Sequence, residues 1–180
     1  MNLTVQIGKL RLQNPVMVAS GTFGYGVEYA RLLDLNQLGA VVVKGIRLGP
    51  VRGNPTPRTV EVASGLINAI GLQGPGVHGF IEKYWPFLKT LHVPTIINIW
   101  GATVEEYAEV ARRFDALGGV GALELNVSCP NIKEGGAQFG TDPRLLRHVV
   151  AACRKGTDLP LITKLSPNVT SIAPFALAAE

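Results

Sequence analysis

Five polar side chains interrupt the apolar stretches of this sequence at intervals. Ser20, Lys44, Asn98, Asn126 and Lys164 each lie at or near the end of a run typical of a buried strand. A lysine in such a run is costly to bury without a negative partner, and an asparagine amide offers donors and acceptors together. These residue types predict a site for an anionic or mixed polar ligand rather than a set of solvated surface groups.

The two cysteines lie in different surroundings. Cys129 opens a Gly- and Asn-rich loop and is followed by Pro130, which suits a residue held at the mouth of a site. Cys153 falls on the apolar stripe of a predicted helix and is expected to be a small buried hydrophobic residue. Their number and spacing indicate neither a disulfide framework nor a metal site, and they suit a reducing cytoplasm.

Strand patterns must position these residues, and they alternate with helical patterns along the chain. After a hairpin over residues 3–12, apolar strands are predicted near Asn14–Ser20, Ala40–Ile46, Pro94–Gly101, Ala122–Ser128 and Pro160–Ser166. Helices are predicted over Val77–Leu91, with an interruption at Pro86, over Thr103–Leu117, and from Asp142 to Gly156. The fifth helix has only begun at Glu180.

This alternation predicts an α/β fold with parallel strands covered on both faces. No G-x-G-x-x-G follows the first strand, which weakens the dinucleotide-binding form of an open sheet. Polar residues at five successive strand ends favour a (β/α)8 TIM barrel, whose active sites lie at that mouth. We expect residues 1–180 to form a single, incomplete barrel domain of about five βα units, preceded by the hairpin. The first and last strands are expected to keep unpaired edges, which promote association and low solubility.

Two connections are long enough to be functional. Residues 53–76 contain GNPTPR and LINAIGLQGPG, and the apolar content of LINAIGL predicts a packed, ordered segment. Residues 129–141 form the second long loop.

Composition bounds the class of protein. The 180 residues are 47% hydrophobic and 17% charged, with a net charge of +4, as in a globular chain. Lysine and arginine are scattered, so no nucleic-acid partner is expected. The first residues lack the apolar core of a signal peptide, and no apolar run approaches the ~20 residues of a membrane span, so a cytoplasmic protein is predicted.

Six motifs together resemble one family, the dihydroorotate dehydrogenases, in family order and spacing over essentially the whole chain. The motifs are SGTFGYG at 20–26, VVKGI at 42–46, GNPTPR at 53–58, NAIGLQGPG at 68–76, ELNVSCPN at 124–131 and KLSPNVT at 164–170. SGTFG, and a cysteine in the base loop, most resemble class 1 and its NAD-linked type 1B catalytic subunits.

The resemblance implies oxidation of (S)-dihydroorotate to orotate in de novo pyrimidine (UMP) biosynthesis. A base removes a proton from C5, and a hydride leaves C6 for N5 of FMN. Cys129 is the base by similarity, and it would act as a thiolate. FMN is the only cofactor implied for this chain, while FAD and a 2Fe-2S cluster belong to an electron-transfer partner subunit. A homodimer, and a heterotetramer with that subunit, are implied for the full-length form.

The resemblance also implies which residues bind each molecule. The substrate would be bound by Lys44, Asn68, Ala69, Ile70, Gly71, Leu72, Asn126 and Asn131. The flavin would be bound by Ser20, Lys44, Gly45, Asn98, Asn126 and Lys164, with Lys164 beside N1 and O2, where negative charge collects on reduction.

Two other readings stay open from the sequence. The flavin domain of dihydropyrimidine dehydrogenase shares part of the Ser-Cys-Pro element, although Asn131 and NAIGL favour the dihydroorotate enzyme. A non-catalytic half-barrel is the second alternative. The family's remaining strands carry another substrate-binding segment and the FMN phosphate site, so both are expected to be missing, and the isolated 180 residues are expected to bind FMN weakly and to be inactive.

Overall fold

The structure, a computed structural model, describes residues 1–128 and 139–180. Its strands are β1 (Val5–Ile7), β2 (Leu10–Leu12), β3 (Val41–Ile46), β4 (Thr59–Val62), β5 (Gly65–Asn68), β6 (Thr95–Ile99), β7 (Ala122–Asn126) and β8 (Leu161–Lys164). Its helices are α1 (Gly76–Lys83), α2 (Trp85–Leu88), α3 (Val104–Asp115), α4 (Pro143–Gly156) and α5 (Ala173–Ala179), with a 3₁₀ turn at Leu35–Gln37.

The central sheet has four parallel strands in the order β3, β6, β7, β8. Each new strand is added at the same edge as the one before, with a helix in each connection. A doubly wound sheet would instead reverse its strand order at a switch point. The sheet is therefore a segment of a β/α barrel wall, and this part of the predicted fold is confirmed.

The predicted hairpin is confirmed and covers the amino end of the sheet. β1 and β2 pair antiparallel, and Gly8 takes the left-handed conformation (φ 55°) in their turn. Leu10 and Leu12 are buried in a small apolar cluster with residues from the first halves of the sheet strands or just before them: Ala40, Val42, Ile96 and Ala122. This end of the sheet is thus closed by hydrophobic packing, which leaves the carboxyl end for polar groups.

Local signals start α3 and α4 and divide the earlier helix where the sequence predicts. The Thr103 hydroxyl accepts the N–H of Glu106 (3.2 Å) at the start of α3, and the Asp142 carboxylate accepts the N–H of Arg144 (2.8 Å) at the start of α4. Pro86 lies in the first turn of α2, so the predicted long helix is divided there. These three predictions are confirmed.

The predicted strand at Asn14–Ser20 is wrong, because it forms only one parallel bridge, Met17 to Ala40, with the rest of the described chain. Pro15 has no N–H to give to a ladder. The Asn14 side chain accepts the N–H of Val16 (3.0 Å) and donates to the Gln37 carbonyl (2.9 Å). Such local side-chain bonds compete with strand pairing. The segment nevertheless delivers Ser20 to the carboxyl end of the sheet.

The prediction that LINAIGL is packed is also wrong for its first half. β4 and β5 form an antiparallel ribbon that pairs only with itself in the described structure. Val60, Val62, Leu66 and Ile67 are 43–61% exposed on it. A two-stranded ribbon with no layer over it cannot bury its apolar side chains.

The main core lies between the sheet and the outer helices. α3 packs against α4, and α4 against α5. Phe114 of α3 meets the ring of Phe80 edge-on at 5.7 Å, and Leu146 and Cys153 of α4 are fully buried. Within the described residues, no helix has the length and apolar character needed to cross a membrane.

Leu146→Ala should lower the free energy of unfolding by about 2–5 kcal/mol, because it leaves a cavity in a close-packed core. Leu32→Ala is the matched control, since Leu32 is 78% exposed and its loss should change stability by less than about 0.5 kcal/mol. Urea unfolding of both variants measures the difference. Equal midpoints would contradict this description of the core.

Candidate active site

A cavity of about 330 Å³ lies at the carboxyl ends of the sheet strands. Nine of the residues proposed from the sequence line it, namely Ser20, Lys44, Gly45, Asn68, Ile70, Leu72, Asn98, Asn126 and Lys164. Gly21, Thr22 and Gly24 complete the lining. The structure therefore brings together the five residues predicted from strand ends, Ser20, Lys44, Asn98, Asn126 and Lys164, with four that the resemblance implies.

A single carboxylate links the strand ends beneath the cavity. The hydroxyl of Ser20 donates to Glu124 Oε1 (2.7 Å), and Asn98 Nδ2 donates to the same oxygen. Asn98 Nδ2 also lies 3.3 Å from Ser20 Oγ, to which Lys164 Nζ donates at 3.4 Å. Lys164 Nζ is 4.0 Å from Glu124 Oε1. Ser20 and Asn98 are at least 95% buried, so this network is largely shielded from water.

Glu124 was missed by the sequence argument, although a signal was present. It is a charged residue in the middle of the apolar strand β7, two positions before Asn126. Residues two apart on a strand share a face, so Glu124 and Asn126 both project toward the same side. The strand register places Asn98 opposite Glu124 and Lys164 opposite Asn126. A register prediction for parallel strands would have found the cluster.

Lys44 reaches the cavity through an irregularity in β3. The register of β3 against β6 shifts between Val43 and Ile46, and the Lys44 N–H donates to the Gly24 carbonyl (2.7 Å) instead of to the ladder. Burial lowers the pKa of the Lys44 ammonium, and the nearby Arg58 charge lowers it further, while Glu28 acts in the opposite direction. A negative ligand would restore the balance of charge around this lysine.

Gly45 is required by its neighbours in this bulge. A Cβ at this position would lie 2.8 Å from Asn98 Oδ1 and 3.1 Å from Trp100 Cδ1. The first contact would displace the Asn98 amide from its bonds to Ser20 and Glu124, and the second would press on the Trp100 ring. Trp100 is itself held beneath the Arg47 guanidinium, whose carbon is 5.3 Å from the ring centroid.

The GNPTPR segment holds the loop that follows β5. Asn54 donates from its backbone N–H to the Ile70 carbonyl (3.0 Å) and from Nδ2 to the Ala69 carbonyl (2.8 Å). Gly71 is left-handed (φ 74°), and a Cβ on it would lie 2.7 Å from the Asn54 nitrogen. Leu72 is also left-handed (φ 53°), which is unusual for a residue with a side chain. Ala69 and Gly71 do not line the cavity, but they shape the turn that places Ile70 and Leu72 there.

Asn126 is fixed at the end of β7 by contacts on both sides. Its backbone carbonyl accepts the hydroxyl of Tyr107 from α3 (2.7 Å), and its side-chain Oδ1 accepts the hydroxyl of Ser128 (2.8 Å). Cys129 and Asn131 lie outside the described residues, so their proposed roles stay predictions. The description resumes at Phe139, whose ring meets Tyr107 edge-on at 5.6 Å.

Chemically, the cavity offers hydrogen-bond donors and positive charge at one end of an otherwise apolar sheet. Two lysines, a serine hydroxyl and three asparagine amides can bind the electron-rich edge of a planar heterocycle or a carboxylate. Among the described residues, no cluster of His, Cys, Asp and Glu could hold a metal ion.

Comparison with known proteins gives consistent matches. The family model described as dihydroorotate dehydrogenase matches residues 2–180. The dihydroorotate dehydrogenase B (NAD(+)) catalytic subunit of Trichlorobacter lovleyi is 56% identical over 178 residues, which cover 99% of this chain and 59% of the relative. The subunit of the same name from Desulforamulus reducens is 55% identical over 180 residues, covering 100% of this chain and 59% of the relative.

A solved structure supports the fold. The dihydroorotate dehydrogenase of Eimeria tenella, in complex with ferulenol, superposes with a TM-score of 0.77 at 22% identity, and the match covers 99% of this chain and 56% of that one. The chain thus spans less than two thirds of the length of these relatives. Since the family model covers nearly every residue, the chain belongs to the dihydroorotate dehydrogenase family.

Proposed function

We propose that this chain forms part of the catalytic subunit of a dihydroorotate dehydrogenase, which oxidises (S)-dihydroorotate to orotate in pyrimidine biosynthesis. The observation that carries the proposal is the convergence of Lys44, Asn68, Asn98, Asn126 and Lys164 on one cavity at the strand ends. The names of the two bacterial relatives agree with it. This chain spans 59% of their length, so the proposed activity is that of the whole protein to which it belongs.

The donor set of the cavity fits the isoalloxazine of FMN. Ser20, Gly45, Asn98, Asn126 and Lys164 would hold the flavin, whose ring edge carries acceptor atoms at N1, O2 and O4. FMN, when bound, supplies the hydride acceptor for the reaction. The Lys164 ammonium, partly exposed toward the cavity (38% of its side chain), would favour electron density near N1 and O2.

The substrate is an anion with a mixed hydrogen-bonding edge. Lys44 would attract its carboxylate, and Asn68, Asn126 and Asn131 would bind the amide edge of the ring. Ile70 and Leu72 would complete the pocket, because the hydrogen bonds of Asn54 fix the turn that carries them. Binding of the anion would also offset the desolvation of Lys44.

Cys129 is the proposed base for the C5 proton. The motif that contains it continues directly from β7, whose last residue, Asn126, lines the cavity. Cys153 is a poor candidate because burial raises the pKa of its thiol to about 12, so it stays protonated and inert at neutral pH. The two cysteines thus form a natural pair for comparison.

Electrons would leave the flavin through a partner. The relatives are named as catalytic subunits of an NAD(+)-dependent enzyme, and we propose that a separate subunit carrying FAD and a 2Fe-2S cluster passes electrons to NAD(+). We also propose that residues 1–180 form a single barrel domain within a homodimeric catalytic core. In the described structure, the apolar side chains of the β4–β5 ribbon are exposed, and β8 pairs on one side only, with β7.

The test uses a full-length, FMN-loaded catalytic subunit that contains residues 1–180. Anaerobic addition of (S)-dihydroorotate should bleach the visible absorption of its flavin. Dihydrouracil is the matched control, because it lacks the carboxylate that Lys44 would bind, and it should reduce the flavin at least about 10²-fold more slowly. Reduction by dihydrouracil at an equal rate would favour a dihydropyrimidine dehydrogenase. Bound FMN that neither compound reduces would contradict the proposed activity.

Cys129→Ala should leave FMN bound while slowing its reduction by dihydroorotate by roughly 10²-fold or more, as for the loss of a general base. Cys153→Ala removes the same group from the core and should leave the rate per folded molecule unchanged. Stopped-flow absorbance measures both. A Cys129→Ala rate within about twofold of the unsubstituted protein would show that another group takes the proton.

A further inference from the structure

Lys164 already has a negative partner within the chain. Its Nζ atom lies 4.0 Å from Glu124 Oε1 and 3.4 Å from Ser20 Oγ, which in turn donates to the same carboxylate oxygen at 2.7 Å. The side chain of Glu124 is only 14% exposed. A carboxylate this buried is costly unless cations and donors surround it, so its presence beneath the cavity calls for a physical role.

The donors around Glu124 come from separate parts of the barrel wall. Asn98 belongs to β6, Lys164 to β8, and Ser20 to the segment before β3, while Glu124 itself lies on β7. The carboxylate therefore fixes the directions of three side chains that line the cavity. Without this carboxylate, the Asn98 amide would lose a hydrogen-bond acceptor in a place where it is almost fully buried, which is costly.

The same carboxylate weakens the positive potential that Lys164 presents to the cavity. Opposite unit charges about 4 Å apart compensate each other strongly where water is largely excluded. The pair is not fully closed, because the Lys164 side chain remains 38% exposed while Glu124 is mostly covered. The Lys164 ammonium can thus contact a ligand in the cavity while the Glu124 carboxylate partly compensates its charge.

We propose that Glu124 is a positioning residue and counter-ion, which orients Ser20, Asn98 and Lys164 and limits how strongly Lys164 stabilises negative charge on the flavin. This inference rests on the proposed function, since it assumes that the flavin edge lies beside Lys164. It assigns no proton transfer and no contact with substrate to Glu124. Its effect is transmitted through the Lys164 ammonium and the Asn98 amide.

Sulfite is a suitable probe, because it adds to N5 of an oxidised flavin and leaves negative charge over N1 and O2. The test again uses the full-length, FMN-loaded subunit. Glu124→Gln keeps an acceptor oxygen at this position but removes the negative charge. The sulfite dissociation constant should fall by about fivefold, as expected for losing a partly buried counter-charge, while the FMN dissociation constant stays within about threefold. Glu82→Gln removes a charge from a side chain that is 76% exposed on α1 and should change neither constant.

Glu124→Ala removes both the charge and the acceptor, so FMN should dissociate about tenfold more readily. If Glu124→Gln binds FMN as tightly as the unsubstituted protein, the loss in Glu124→Ala comes from the missing hydrogen-bond acceptor and not from the missing charge. An unchanged or higher sulfite dissociation constant in Glu124→Gln would overturn the counter-ion role. Equal FMN affinity in the unsubstituted protein, Glu124→Gln and Glu124→Ala would overturn the positioning role.

Lys164→Ala distinguishes failure of this inference from failure of the proposed function. If Lys164→Ala weakens sulfite and FMN binding but Glu124→Gln does not change sulfite binding, the flavin site stands and the counter-ion role of Glu124 is wrong. If Lys164→Ala changes neither constant, Lys164 lies away from the flavin, and both the proposed cofactor role of Lys164 and this inference are wrong. Lys155→Ala, an exposed lysine at the end of α4, is the control for loss of positive charge.

Discussion

The carboxylate of Glu124 is the interaction on which the arrangement of the candidate site depends. Its Oε1 atom accepts hydrogen bonds from Ser20 and Asn98, and the Lys164 ammonium lies 4.0 Å away. The parallel register of β6, β7 and β8 brings Asn98, Glu124 and Lys164 together, and the segment before β3 adds Ser20. The polar network and the sheet therefore specify each other, because a shift of one residue in register would turn the side chains to the opposite face.

The amino end of the sheet is apolar and packed, whereas the carboxyl end is polar and open. At the amino end, the hairpin buries Leu10 and Leu12 against the first residues of the strands, and hydrophobic packing alone suffices. At the carboxyl end, a bulge in β3 brings Lys44 to the cavity, and the hydrogen bonds of Asn54 fix the turn that places Ile70 and Leu72 there. A packed, rigid base and outer helices allow this polar end to stay open without loss of the fold.

Much of this organisation is predictable from the sequence, since it depends on local periodicity and capping. The starts of α3 and α4 follow from Thr103 and Asp142, and four parallel strands follow from their continuous apolar runs. The strand predicted before Ser20 does not form, because the Asn14 side chain and Pro15 divert its backbone bonding. Exposure of the β4–β5 ribbon depends on which elements lie nearby, and apolar content alone does not contain that information.

Glu124 shows the limit of reasoning from strand ends alone. It lies in mid-strand, and its importance emerges only from its alignment with Asn98 across the sheet. A crystal structure of the protein with FMN and orotate tests most directly whether this cluster supports the flavin edge. We expect Lys164 Nζ to lie within hydrogen-bonding distance of N1 or O2 of the isoalloxazine, with Glu124 directly behind that lysine. A flavin bound elsewhere, or a Lys164 side chain directed away from the ring, would contradict it.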